Sequence, residues 1–145
     1  MHFMLAKHTL MLNRESILSI MSALNLPINE YWITAGAGLV MHGVKDETRD
    51  IDIGCTNKLF EQLILQGYKV SISSNNSRSL KMNNIIKVFE NWNVEYIEHI
   101  DSLPVGSLES IKKQKIELGR EKDLNDVKLI DNFINYAKIA PKTVD

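Results

Sequence analysis

Asp50 and Asp52 stand two apart in the stretch "TRDIDIG", with Ile51 between them and Ile53 after. In an extended strand, residues two apart project from one face, so the carboxylates lie side by side while the isoleucines turn to a core. At an effective dielectric near 20, two charges ~5 Å apart repel by roughly 3 kcal/mol, a cost that a divalent cation reverses. Hard cations take oxygen ligands, and Mg²⁺ is usually bound by one or two carboxylates together with substrate phosphates. The chemistry that suits this pair is the handling of a metal-bound phosphate, and the plainer reading is an exposed strand face. Just upstream, "TAGAG" follows an apolar run and opens a helix, so free backbone N–H groups point at whatever sits there. Gly36 and Gly38 would let an anion approach the backbone, although a tight strand-to-helix turn accounts for them equally well. The spacing is neither the Walker pattern nor the dinucleotide fingerprint.

The two features in this order resemble the signature of the polymerase-β-type nucleotidyltransferase superfamily. The likeness is greatest to its small bacterial and phage members, in which "TGGxAxxxHG" precedes a Thr and then "DID". Thr34, Gly36, Leu39, His42, Gly43, Thr48, Asp50, Ile51 and Asp52 fall on that pattern. Ala35 stands where the first glycine is usual, and Asp46 where a basic residue is common. Near the other end, "LESIKKQKIELGREKDLNDVKLI" is similar to the "L…K…GRxKDxxD…L" ending of the same proteins, through Leu108, Lys115, Gly119, Arg120, Lys122, Asp123 and Asp126.

The resemblance implies a metal-dependent enzyme that moves a nucleoside monophosphate from an NTP to a hydroxyl acceptor, with Mg²⁺ or Mn²⁺ as cofactor. It implies a third carboxylate on a strand beside the first pair, for which Glu95 in "NVEYIEH" is the first choice and Glu98 the second. Asp50, Asp52 and Glu95 would then be catalytic residues and metal ligands in a two-ion in-line transfer. Gly36, Ala37, Thr48, Lys115 and Arg120 would contact the nucleotide or position what does, Thr48 by orienting the loop before Asp50. Arg120 has a second reading, a structural pair with Asp123 or Asp126. Relatives of this size often belong to toxin–antitoxin or phage-defence systems, which points to an RNA or tRNA end, or a protein side chain, as acceptor. The alternative is a catalytically inactive module that keeps the fold to act on a partner protein, fed by Ala35, Asp46 and a third acid that is not aspartate.

Elements able to position these residues can be traced along the chain. "NRESILSIMSALNLP" places Ile17, Leu18, Met21 and Leu24 at helical spacing, ended by Pro27. "EYWITA" reads as a buried strand, "AGLVMHG" as a short helix closed by Gly43, and "DIDIG" as a strand with one wet face. "NKLFEQLILQG" predicts a helix with Asn57 as N-cap, "YKVSIS" a strand and "SNNSRS" a turn. "IIKVFE" and "VEYIEHI" predict two strands joined as a hairpin through "NWN", and two helices over about 107–139 close the chain. The expected fold is α+β (mixed α/β), a mixed sheet flanked by helices with a helical C-terminal end, in one domain over 1–145.

Composition narrows the partners. Lys+Arg 17 against Asp+Glu 18 leaves no global field to draw the chain onto nucleic acid or anionic membrane, so any such contact would be a local patch. Cys55 is the single cysteine, which excludes an internal disulfide and suits a reducing compartment. No apolar run approaches the ~20 residues of a membrane span, and "MHFMLAKHTLML" makes a poor signal peptide. A cytoplasmic protein is expected. Trp32 reads as core, Trp92 as a cover over the hydrophobic edge, and His42 as a packed or capping histidine. Oligomeric state is open.

Overall fold

The computed structural model describes residues 10–92 and 94–139. The leader reading on residues 1–9, and Asn93 of the expected hairpin turn, lie outside them. Among the described residues, five helices and seven strands follow in the order α1 (Arg14–Leu24), β1 (Tyr31–Thr34), α2 (Ala35–Met41), β2 (Ile51–Cys55), α3 (Asn57–Leu65), β3 (Val70–Ile72), β4 (Arg78–Lys81), β5 (Ile86–Glu90), β6 (Ile97–Ile100), β7 (Leu103–Gly106), α4 (Leu108–Leu118) and α5 (Glu121–Ile139). A single 3-10 turn, Ile28–Glu30, leads into β1. This is the mixed α/β architecture expected. Among the described residues, no helix is long and apolar enough to cross a membrane.

The strands form one sheet in the order β3-β4-β5-β2-β1-β7-β6. β1 runs antiparallel to β2, while β5 runs parallel to β2 and β7 parallel to β1. Alternation along the strands divides the sheet into two unlike faces. Ile33, Ile51, Ile53, Cys55, Leu80, Ile86, Val88 and Val105 are almost wholly buried and pack with Ile17 and Met21 of α1 and Leu59, Phe60 and Leu63 of α3. Each of these large side chains gains ~1.5–3 kcal/mol from leaving water, which holds the sheet against α1 and α3. The opposite face carries Trp32, Thr34, Asp52, Lys87 and Phe89, and is covered only in part. A second, smaller cluster of Leu39, Ile111 and Ile130 joins α2, α4 and α5.

Local signals set the helix starts. Asn13 accepts from the Ser16 amide to cap α1, and Ser107 accepts from the Ser110 amide to cap α4; such caps contribute ~1 kcal/mol each. For α3 the cap is Thr56, which accepts from the Leu59 amide, one residue before the expected Asn57. The Asn57 amide instead donates to Glu90 at 2.7 Å.

The expected hairpin between β5 and β6 does not form. β5 is a central strand held between β2 and β4, and Ile86 and Val88 are buried there. β6 lies on the opposite edge and pairs with β7 through a tight turn at Asp101 and Ser102. Both turn residues have positive φ, +50° and +68°, as a two-residue primed hairpin turn requires. β7 escaped the sequence reading because Pro104 lies in it, and proline argues against a strand inside a sheet. β4 escaped because Arg78 and Ser79 continue the polar "SNNSRS" run.

Candidate active site

β2 delivers Asp52 to the open face, and Asp50 lies just before the strand begins. Asp52 is in register with Thr34 on one side and with Lys87 on the other. Partners in register on neighbouring strands project from one face ~5 Å apart, so Thr34, Asp52 and Lys87 form a row across three strands. Asp50 and Asp52 line a cavity of about 250 Å³ together with Lys81, Asn83, Asn84 and Lys87. That volume lies under the ~300 Å³ at which pockets for whole small molecules begin, and it suits ions and phosphate oxygens. Burial pushes the Asp52 carboxyl above the usual range; Asp50 adds to the rise, and Lys87, Lys115 and Lys122 pull against it. Asp50 itself is exposed.

The turn between β1 and α2 meets this row at Thr34. The Thr34 hydroxyl donates to Gln114 Oε1 of α4 at 2.8 Å, tying the turn to the helix behind it. Ala35 holds φ +52°, the left-handed conformation that glycine adopts freely and that costs other residues ~1–2 kcal/mol. The backbone of a glycine turn is kept here by an alanine. At Gly36 a Cβ would lie 2.7 Å from Thr48 Oγ1, so the close approach of Thr48 requires glycine. At Gly38 a Cβ would meet Ile111 Cδ1 at 2.6 Å, so this glycine lets α2 and α4 approach closely. Ala37 is fully buried. Thr48 exchanges backbone hydrogen bonds with Leu12 and donates from its hydroxyl to the Asp50 carbonyl at 3.5 Å, orienting the loop ahead of Asp50.

Glu95 is not brought to the pair. It lies before β6, on the far side of β1 and β7 from β2, where its carboxylate takes Lys113 at 2.8 Å and its amide donates to Ser110 Oγ at 2.9 Å. Glu98 on β6 faces His42, 3.7 Å from its Nε2. The strand beside Asp52 is β5, and it presents Lys87 where the sequence reading expected an acid. Among the described residues, no group of three His, Cys, Asp or Glu side chains could hold a metal ion. Asp50 and Asp52 offer carboxylate oxygens for one divalent ion shared with phosphates. The residues do not fit a two-ion centre.

Lys115 and Arg120 belong to an ion network at the junction of α4 and α5, in which Lys115, Asp123 and Asp126 are buried and Arg120 is exposed. Lys115 Nζ lies 2.9 Å from Asp126 and 3.5 Å from Asp123, and Lys45 reaches Asp126 at 2.8 Å. Arg120 Nε donates to Asp123 Oδ2 at 2.6 Å, which is its structural reading. The guanidinium holds the Asp123 carboxyl below the usual range. Gly119 closes α4 with φ +64°. The "GREKD" motif thus joins two helices, with Lys115 and Lys122 near enough to act on the charge of Asp52.

His42 packs as expected, donating from Nε2 to the Gly106 carbonyl at 2.8 Å. Cys55 is wholly buried, and burial pushes its thiol up to about 12, so it supplies no thiolate. Trp32 is half-buried on the open face and not in the core; its indole N–H donates to the Trp92 carbonyl at 3.0 Å. Phe89 and Trp92 meet in a tilted contact, with centroids 4.5 Å apart and ring planes at 56°, so Trp92 covers an apolar edge next to the row. Lys81, Lys87, Asn83 and Asn84 were missed by the sequence reading. The alternation of "IIKVFE" was signal enough to set Lys87 on the face opposite Ile86 and Val88, but not to name the neighbouring strand.

No protein-family model matches the chain, and no curated protein does. Among solved structures it is similar to that of a Thermotoga maritima protein provisionally called a nucleotidyltransferase. The TM-score is 0.56 at 18% identity, over 86% of this chain and 96% of that one. It is also similar to the lincosamide antibiotic adenylyltransferase LnuA in its lincomycin-bound form, with TM-score 0.46 and 18% identity over 79% of this chain and 92% of that one. The chain shares the fold of the Thermotoga maritima protein.

Proposed function

We propose that the chain binds the triphosphate end of an NTP at the Asp50–Asp52 corner and transfers its nucleoside monophosphate to a hydroxyl acceptor. The observation that carries this reading is the pairing of the two carboxylates with lysines in one small cavity, beside a strained turn at Ala35. Asp50 and Asp52 would hold one Mg²⁺ or Mn²⁺ with the phosphates; that ion, when bound, neutralises charge on the triphosphate. Lys81 and Lys87 add fixed positive charge for phosphate oxygens, which preorganised donors stabilise without rearrangement. Thr48 and the Gly36 turn fix the loop that carries Asp50. The resemblance to small toxin–antitoxin and phage-defence members makes RNA ends and protein hydroxyls the acceptors to test first.

A second reading, a module that binds a partner without transfer, draws on the placement of Glu95 and Glu98 away from the pair. Incubation with Mg²⁺ or Mn²⁺, each α-labelled NTP, total tRNA and total protein separates the two. Label that reaches tRNA or protein, and is lost in Asp50→Ala and Asp52→Ala, supports transfer. Partner capture without nucleotide, unchanged by those substitutions, supports the module.

A further inference from the structure

Lys87 bears on the metal content of the site as well as on its charge. It is the register partner of Asp52 on the parallel strand β5, and both side chains line the same cavity. Parallel neighbours lie ~4.8 Å apart, so a side chain here is the one best placed to share a ligand with Asp52. A third acid for a second ion would have to stand at this point, and the acids of the β6 region are engaged with Lys113 and His42. The Lys87 ammonium also lies 5.0 Å from the centroid of the Phe89 ring, a cation–π contact on the same face of the sheet.

Charge balance shows what the exchange does. A carboxylate carrying a divalent ion has a net single positive charge, and so has an ammonium. Replacing the acid and its ion by lysine keeps the charge felt by a phosphate chain while removing the need for the ion. A flexible four-carbon stem with a compact charge at its end suits that role.

We infer that Lys87 stands in for a third carboxylate together with its metal ion, so that the site takes one divalent cation per nucleotide and not two. This rests on the nucleotide-binding reading. Lys87 is then a charge-supplying residue built into the sheet, and Lys87→Asp converts the site to a two-ion centre.

The test counts ions. Free Mn²⁺ is measured by electron paramagnetic resonance while the chain is titrated in the presence of the α,β-methylene analogue of each common NTP, taken singly. Wild type should bind one Mn²⁺ per bound analogue and Lys87→Asp two. Lys87→Met should still bind one, with the analogue held about 10-fold more weakly for loss of a charge-assisted contact. Lys87→Arg, which keeps the charge, should stay close to wild type, and circular dichroism checks that each variant is folded. Two ions in wild type, or one in Lys87→Asp, overturn the inference while the nucleotide reading stands. Binding of no analogue by wild type overturns both.

Discussion

Asp52→Asn should make the metal-free protein more stable, because the wild-type site holds two carboxylates together without their cation. The bare repulsion between charges ~5 Å apart is roughly 3 kcal/mol at a dielectric near 20. Asp50 is exposed, so water and salt remove much of this, and Lys87 offsets part of the rest. Burial of Asp52 adds its own desolvation cost, which an amide does not bear. A net gain of about 1 kcal/mol remains, or a rise in Tm of ~3 °C for a chain of this size. The pH dependence has a definite sign. The folded-state carboxyl is held above its unfolded value, so the folded protein binds the proton more tightly and stability falls as pH rises through that window. Wild type and Asp52→Asn should therefore melt together near pH 4 and separate by pH 7. Thermal melts in chelator across this range measure the difference. A variant that melts at or below wild type at pH 7, or a gap that persists unchanged in acid, would refute the charge-frustrated corner.

Two further outcomes follow from the turn and the helix junction. Ala35→Val places a β-branched side chain at φ +52° and should destabilise the fold by about 2 kcal/mol in urea denaturation, with a local change at the Asp50 loop visible by hydrogen exchange. Asp123→Ala leaves an exposed Arg120 without its partner and weakens the Lys115 cluster, where Asp126 remains, which should cost about 1–2 kcal/mol at pH 7. Because the Asp123 carboxyl is held below its unfolded value, that loss should shrink as acid protonates it, and a loss independent of pH would show that packing and not charge is responsible.

The parts of the fold legible in the sequence are those with their own periodicity or caps. Ile17 and Met21 marked α1, and Asp50 to Ile53 marked a half-wet strand. The arrangement of strands was harder to read, because alternation assigns faces but not neighbours. "IIKVFE" was correctly extended, yet it adds to the Asp52 edge of the sheet and has no contact in register with "VEYIEHI". That single misplacement moved the expected third acid to Glu95 and hid Lys87. Pro104 disguised β7, which separates β1 from β6 and carries Glu95 away from the carboxylates. The resemblance named Arg120 and Lys115 as nucleotide contacts; they pair with Asp123 and Asp126, and both also lie within electrostatic reach of Asp52.

The measurement closest to the central claim is a crystal structure of the wild-type chain with Mn²⁺ and a non-hydrolysable NTP analogue, read by anomalous scattering. One manganese peak within coordination distance of both Asp50 and Asp52, with the phosphates reaching toward Lys87, is the result expected. Nucleotide bound elsewhere on the chain, or manganese away from these two side chains, would contradict it.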